Sequence, residues 1–436
     1  MKNRIFGLIL FLITVGAYAQ SEQVSISRDS DGMRLKVNGE DFMINGMNWD
    51  YIPIGTNTIT AEFWKKSDDV IKAGLDTEMS LLKNMNVNVI RQYTGVPARW
   101  IRYIYEKYGI YTLLNHSFGR YGLAIDGVWI EITDYSDPLT QEFLLSEVEN
   151  LVRDYKDTPG LLMYLLGNEN NYGLFWAGAE TEDFPDDEEE KQYVGENRGR
   201  PMYRLMNEAS KRMKAMDGNH PVAICNGDVL FIDIIAEECP DVDVYGTNVY
   251  RGVSFGDLFD VVKEKLDMPI MLTEFGADAF NAIKNEEDQK AQAYYMVRNW
   301  KEIYANAAGL GKAGNSIGGF TFQFSDGWWK YGFDDRKNAD VHDNNASWSN
   351  GGYDIDLLEQ GENNMNEEWF GVAAKGQTNS RGLYDLYPRA AYYALKEAHQ
   401  LNPYEAGVTA DFVENYFNNI ELTDAVLRAP GNYRRN

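Results

Sequence analysis

The sequence predicts an α/β protein, a (β/α)8 TIM barrel with one domain spanning residues 20–400. Eight short apolar runs alternate with segments of helical spacing along the 436 residues, the signature of a parallel sheet with crossover helices. The runs are short, largely unbroken and bounded by turn residues, as strands buried on both faces are. No GxGxxG or Walker motif follows any of them, which disfavours an open nucleotide-binding sheet and leaves eight repeated units best closed as a barrel.

The elements follow in order. Lys2 and Arg4 precede an apolar stretch, 5–15, and Ala17-Tyr18-Ala19 follows it. This is the pattern of a signal peptide over residues 1–19, cleaved after Ala19. The apolar stretch is short for a membrane span, and no Cys stands at the cleavage point. The expectation is an exported protein, periplasmic or extracellular if the source is bacterial, with no membrane span after cleavage. Residues 33–40 alternate and then turn, as a hairpin strand closing the bottom of a domain would.

Residues 42–48 read as the first barrel strand. Residues 62–85 carry helical spacing through Val70, Ile71, Leu75, Met79, Leu82 and Met85. Strand two is expected at 87–93, a helix at 98–108 and strand three at 110–116. A helix over 139–155 is broken by Asp157-Thr158-Pro159-Gly160. Strand four, 161–166, is six apolar or aromatic residues that give way to Gly167-Asn168-Glu169-Asn170-Asn171. A helix at 202–216 leads to strand five at 221–226, and a short helix at 230–237 to strand six at 242–250. A helix at 255–266 then precedes strand seven at 269–276, and a long helix at 286–308 precedes strand eight at 317–324. A last helix at 388–400 closes the series, and residues 401–436 form a tail of some amphipathic character.

The loops after strands four and eight are the long ones, and both fall on the side where a barrel keeps its chemistry. The acidic run 183–190 in the first reads as a solvated face, since carboxylates in an unbroken row rarely converge on one ion. Cys225 and Cys239 are the two cysteines. They could pair, but two cysteines in a chain of this length make no disulfide framework, and their spacing to histidines suggests no zinc site. The formal net charge of −26 argues against nucleic acid or an anionic membrane as partner. It favours a neutral oligosaccharide or polysaccharide over a strongly anionic one. The aromatic share of 13% hints at sugar-stacking rings, though large cores use them too.

In a barrel the C-terminal strand ends converge on one mouth. They supply Asn48, Trp49 and Asp50; Arg91 and Tyr93; Asn115 and His116; Asn168 and Glu169; Asn248 and Tyr250; Glu274; and Asp326, Trp328 and Trp329. A Glu on each of strands four and seven is what cleavage of a glycosidic bond needs. One carboxyl protonates the leaving oxygen, and the other attacks the anomeric carbon or activates water.

Asn168-Glu169 ending a fourth strand and Thr273-Glu274-Phe275-Gly276-Ala277-Asp278 ending a seventh resemble the signatures of clan A retaining glycoside hydrolases. The wording is closest to the catalytic barrel of glycoside hydrolase family 2. FMINGMN (42–48), VNVIR (87–91) and LYDLYPRAAYYAL (383–395) resemble that domain as well, so the similarity runs from about residue 42 to 400. The sandwich domains that family 2 enzymes usually carry ahead of the barrel have no counterpart here, and no family 2 substrate-selecting signature stands out. The resemblance implies Glu169 as general acid/base and Glu274 as nucleophile, with Asn168 on the sugar 2-hydroxyl. It also implies Arg91 and Tyr250 beside Glu274, Trp328 or Trp329 as floor for the sugar ring, and no cofactor or metal.

Asn248, His116 and Asn48 are further candidates for substrate contact at the mouth. His116 reads equally well as a rim histidine, and Trp49 and Asp50 as core. Trp348 and Trp369 are candidates for an outer subsite. Two rival functions remain: a β-glucanosyltransferase-type transglycosylase, which differs only in the acceptor, and a non-catalytic glycan-binding barrel, against which both Glu residues argue. A metal-dependent hydrolase lacks support, with 4 His and no HxH pair.

Overall fold

The computed structural model describes residues 22–93, 95–175, 187–281, 284–330, 339–342 and 366–429. Its centre is a closed barrel of eight parallel strands: β1 (Ile44–Asn48), β2 (Val89–Gln92), β3 (Tyr111–His116), β4 (Leu161–Leu166), β5 (Val222–Gly227), β6 (Val244–Asn248), β7 (Ile270–Phe275) and β8 (Ser316–Thr321). Neighbours in space are neighbours in sequence, and β8 pairs with β1 to close the ring. Each crossover carries a helix or ends on one. These are α1 (Asp68–Asn84), α2 (Ala98–Tyr108), α3 (Pro138–Tyr155), α4 (Arg200–Met216), α5 (Ile232–Glu238), α6 (Leu258–Leu266), α7 (Gln289–Ala305) and, after β8, α8 (Ala390–Ala398).

The apolar runs are strands because both of their faces are covered. Every residue of β4 is buried, as is every residue of β5, β7 and β8. Alternate side chains divide between two apolar layers. Leu161, Tyr164 and Leu166 of β4 face the helices, while Leu162, Met163 and Leu165 join Ala223, Val244, Met271 and Ile317 inside the barrel. Local signals set the helix ends. Asp137 caps α3 by accepting from the Thr140 N–H, with Pro138 in the first turn. Gly109, at φ 69°, stops α2.

The bottom is closed by a three-stranded antiparallel sheet, Val24–Asp29, Gly32–Val37 and Glu40–Phe42. Its Val24, Leu35 and Val37 pack against the lower barrel interior beside Ile44, Val89 and Leu113. The expected single hairpin strand at 33–40 is thus the middle of a sheet. The expected strand 42–48 is divided at Met43, its first residue belonging to the sheet and its remainder to β1.

The tail is part of the outer layer. Ala410–Asn418 packs on α7, with Tyr304 and Phe417 edge to face at 5.3 Å and Lys301 paired with Glu414 at 2.8 Å. Leu422–Arg428 lies against α8. The loop after β3 carries a small hairpin, Leu123–Ile125 with Val128–Ile130, and the loop after β8 a second, Ala373–Thr378 with Tyr384–Pro388. Cys225 and Cys239 are both buried and free, so they do not pair. Among the described residues no helix is long and apolar enough to cross a membrane. The signal segment 1–19 lies outside the described residues.

Candidate active site

At the C-terminal end the barrel interior changes from apolar to polar. Asn48, Arg91, Asn115, Asn168, Asn248, Thr273 and Glu274 are all buried there. Arg91, at the end of β2, is fully buried and organises them. Its Nη1 donates to Glu274 Oε1 (2.9 Å) and to the Thr273 carbonyl (3.2 Å), its Nη2 to Asn168 Oδ1 (2.8 Å) and its Nε to Asn115 Oδ1 (3.0 Å). One guanidinium therefore ties strand ends two, three, four and seven together, a use of its planar fork that lysine could not copy.

Glu274 receives two more donors. Tyr93 Oη lies 2.7 Å from Glu274 Oε1, and Tyr250 Oη donates to Oε2 at 3.0 Å. Burial first, and the Glu274 charge second, push both phenols well above their ordinary value, so both stay protonated donors. Burial works against the charge on Arg91, but its surroundings, with the Glu274 carboxylate as the charged partner, hold the guanidinium above its ordinary value.

Glu169 has a different setting. It lies beyond the end of β4 with a left-handed backbone, φ 56°, after Gly167 at φ 84°. A non-glycine residue there costs on the order of 1–3 kcal/mol and persists only when its surroundings impose it. Two asparagines impose it. Asn170 Oδ1 accepts from the Asn168 N–H (2.8 Å), and Asn170 Nδ2 donates to the Phe118 carbonyl (2.9 Å). Asn171 accepts from the Gly227 N–H (2.7 Å) and donates to its carbonyl (2.9 Å). The Glu169 N–H itself donates to the Cys225 carbonyl.

Asn248 ties Glu169 to the strand ends around it. It stands opposite Glu274 in the β6–β7 register, just past a bulge at Thr247/Asn248 that re-aims its side chain. Its Nδ2 donates to Glu169 Oε1 (2.8 Å) and Asn168 Oδ1 (3.2 Å). Its Oδ1 accepts from Thr273 Oγ1 (2.7 Å) and the Cys225 thiol (3.3 Å). Burial pushes that thiol up to about 11, so it remains a protonated donor.

The other expected residues divide. Asn48 lies under the mouth, donating to the Thr273 carbonyl (3.0 Å), with its Oδ1 2.9 Å from Tyr93 Oη. His116 does not join the cluster. Its Nδ1 accepts from the Phe118 N–H, and its Nε2 lies 3.5 Å from Glu147 of α3, because the last residue of β3 turns outward toward the helix layer. Trp328 is buried in a stack, parallel to His342 at 4.4 Å, which in turn lies 3.8 Å from Trp369. Trp369 is therefore a packing ring, while Trp348 falls outside the described residues.

Trp329 is half-buried beside Asp50, with the Lys330 ammonium 4.9 Å from its ring centroid. Lys330 is paired with Glu367 and lies near Glu274 and Tyr121. Trp49 turns away from the mouth and donates to Glu78 (2.5 Å). Asp326 is bound by Arg389 rather than facing the mouth. Of the acidic run, Asp187 caps the helix Glu188–Val194 and Glu188–Glu190 are exposed. Among the described residues no group of His, Cys, Asp and Glu could hold a metal.

Sequence reasoning left out Tyr121, which accepts from Asn168 Nδ2 (2.9 Å), and Arg120, which donates to the Asn168 carbonyl (2.9 Å). It named Tyr93 without a role and read Cys225 only as a possible disulfide partner. Strand alternation could have found Cys225, since Ala223 and Cys225 face the barrel interior while Val222 and Ile224 face the helices.

Chemically, the mouth presents two carboxylates in one network of buried hydrogen bonds. One is held from three sides by a cation and two phenols, and the other has an amide donor on one oxygen.

No family model and no curated protein matches the sequence. Solved structures do resemble it. A β-D-glucuronidase from Dictyoglomus thermophilum is 16% identical, with a TM-score of 0.51, over 88% of this chain and 54% of that one. A GH2 β-galacturonidase from Eisenbergiella tayi is 13% identical, with a TM-score of 0.50, over 87% and 55%. A β-glucuronidase from Bifidobacterium dentium is 17% identical, with a TM-score of 0.50, over 88% and 50%. The likeness is one of fold, the eight-stranded parallel barrel. The chain spans about half the length of these three solved structures.

Proposed function

We propose that this chain is an exported retaining β-glycosidase that cleaves O-glycosidic bonds by double displacement. The observation that carries the reading is a pair of carboxylates at the barrel mouth, Glu274 on β7 and Glu169 just past the end of β4. Glu274 meets a buried guanidinium and two phenols, charge-assisted bonds that hold both of its oxygens in place. It attacks the anomeric carbon. Glu169, with the Asn248 amide donating to its Oε1, protonates the departing oxygen as the glycosyl–enzyme bond forms. It then takes a proton from water, which attacks the anomeric carbon and releases Glu274. Asn168, fixed by Arg91, Asn248 and Tyr121, is placed to meet the sugar 2-hydroxyl. The chemistry needs no metal or cofactor.

The substrate is an oligosaccharide or polysaccharide, and a neutral one fits best. The chain is strongly acidic, and the lysine of the mouth, Lys330, already has Glu367 as its partner. The solved structures of similar fold are those of glucuronidases and a galacturonidase; only their barrel informs this reading.

Turnover of aryl β-glycosides, with NMR of the first-formed anomer, tests it. Wild type should release the β-anomer first, and Glu274→Gln should lose at least about 10^3-fold in kcat. An inverted first product, or a Glu274→Gln enzyme as active as wild type, would contradict the mechanism.

A further inference from the structure

We propose that the hairpin after β3 is a binding platform for the leaving-group side of a glycan chain, with Tyr121 under the first sugar beyond the cleaved bond and Trp129 under the next. This rests on the glycosidase reading above, and it names what lies on the Glu169 side of the site.

The hairpin is bolted to the turn that carries Glu169. Arg120 donates to the Asn168 carbonyl, and Asn170 Nδ2 donates to the Ser117 and Phe118 carbonyls and to Tyr135 Oη. Tyr135 Oη in turn donates to the Phe118 carbonyl (2.8 Å), and Thr133 Oγ1 to that of Gly119 (2.6 Å). The backbone that sets Glu169 in its left-handed conformation and the backbone that enters the hairpin are thus one hydrogen-bonded unit.

Two rings lead outward from it. Tyr121 has its hydroxyl fixed by Asn168 Nδ2 and its ring backed by the Arg120 guanidinium at 5.2 Å, yet the residue is 41% exposed. Gly122 follows at φ 92°, and the Trp129 ring packs against it so closely that a Cβ there would lie 2.6 Å from the indole. Trp129 is nevertheless 62% exposed. Strand alternation explains the arrangement. Leu123 is buried in the core and Ile130 packs against it, whereas Trp129, paired with Ala124, projects from the opposite face. Both rings are rigidly based and open to solvent, and the first is bonded to Asn168, the residue before Glu169.

The occupant follows from the chemistry. In the reaction proposed, Glu169 protonates the leaving oxygen, so whatever departs lies on its side. A pyranose offers an apolar face of C–H groups to an aromatic ring and keeps its hydroxyls in water. A half-exposed tyrosine followed by an exposed tryptophan suits successive pyranose units and is wasted on a small aglycone. The same platform would receive an incoming acceptor chain in the second half of the reaction.

The test compares wild type with Trp129→Ala and Trp129→Tyr. The substrates are 4-nitrophenyl β-glycosides and oligosaccharides of two to six units from the cello-, laminari-, manno-, xylo- and galacto- series. Trp129→Ala should lower kcat/KM on chains with two or more sugars beyond the cleaved bond by about tenfold, which corresponds to about 1.4 kcal/mol of lost contact. It should leave the aryl glycosides unchanged, and Trp129→Tyr should restore most of the loss. An unchanged kcat/KM on the long chains, or an equal fall on both substrate kinds, would overturn the platform.

A calorimetric arm separates this proposal from the glycosidase reading. If wild type cleaves nothing in the panel, that reading fails. Binding of a hexasaccharide to Glu274→Gln, weakened about tenfold by adding Trp129→Ala, would still support the platform. Absence of binding, or binding indifferent to Trp129, would sink it.

Discussion

Arg91 and Arg389 are both buried and both hold a carboxylate, and they are built to different ends. Arg389 and Asp326 are fork to fork, with Nη1–Oδ1 at 2.5 Å and Nη2–Oδ2 at 2.8 Å. The remaining capacity is spent locally, Arg389 on Glu287 and the Gly371 carbonyl, and Asp326 on the Gly371 N–H. Each faces packed protein, and the pair clamps the loop after β8 to the start of α8.

Arg91 touches Glu274 with one nitrogen and spends the others on Asn115 and Asn168. Glu274 takes its other bonds from two phenols and keeps 9% of its side chain exposed. A structural pair satisfies itself, whereas this one distributes a single charge over a mouth and leaves its carboxylate a way out. Burial and an ionic partner alone would not have told them apart; what else each group touches does.

The sharpest way to break the comparison is to remove each arginine. Arg91→Met should cost about 10^3-fold in kcat/KM on aryl β-glycosides, because it removes the cation at Glu274 and the anchor of Asn168 together. Arg389→Met should instead destabilise the fold by about 3–5 kcal/mol in urea unfolding, the penalty for a buried charge left without its partner. The protein that remains folded should keep kcat/KM within a few-fold. Equal activity losses in the two folded variants would erase the distinction.

Glu169→Gln should slow substrates with poor leaving groups by about 10^2–10^4-fold and spare glycosylation by the best aryl leaving groups, which need no proton. A loss independent of the leaving group would remove Glu169 from the acid role. Tyr250→Phe deletes one neutral donor to a charged acceptor, an interaction of about 1.5–3 kcal/mol, so kcat should fall about 10–100-fold at an unchanged melting temperature.

A different kind of effect, on stability alone, belongs to a third buried group, Glu78. Burial against Trp49 pushes its carboxyl up to about 8, while the Trp49 hydrogen bond and Lys375 work in the opposite direction. A carboxyl raised on folding favours the protonated protein. That stabilisation is full below the ordinary carboxylate range and drains away as pH rises to about 8. Glu78→Gln cannot ionise, so its melting temperature should fall less than that of wild type between about pH 5 and 8, as read by thermal scans at several pH values. Parallel curves would show that Glu78 does not titrate in that window.

The barrel was legible because its signal is local and repeated. Eight apolar runs and their polar ends are visible in windows of ten residues, and α2 matches its expected range of 98–108. The two glutamates were legible for the same reason, each closing a run. What stayed hidden depends on pairing across the chain. Val24–Asp29 reads as polar, VSISRD, and becomes a strand only against Gly32–Val37. The outward turn of His116 depends on Glu147, thirty-one residues on. Cys225 and Thr273 look apolar or neutral in their strands, yet closure brings both thiol and hydroxyl to Asn248. Trp129 carries no strand signal of its own, and its exposure is decided by the burial of Leu123 across the hairpin.

The central claim is that Glu274 bonds to the sugar. A panel of 2-deoxy-2-fluoro-β-glycosides with an activated leaving group, followed by intact-protein and peptide mass spectrometry, measures it directly. The account predicts one glycosyl adduct per chain, located on Glu274 and absent from Glu274→Gln. An adduct on another residue, or no adduct from a glycoside whose parent sugar the enzyme turns over, would contradict it.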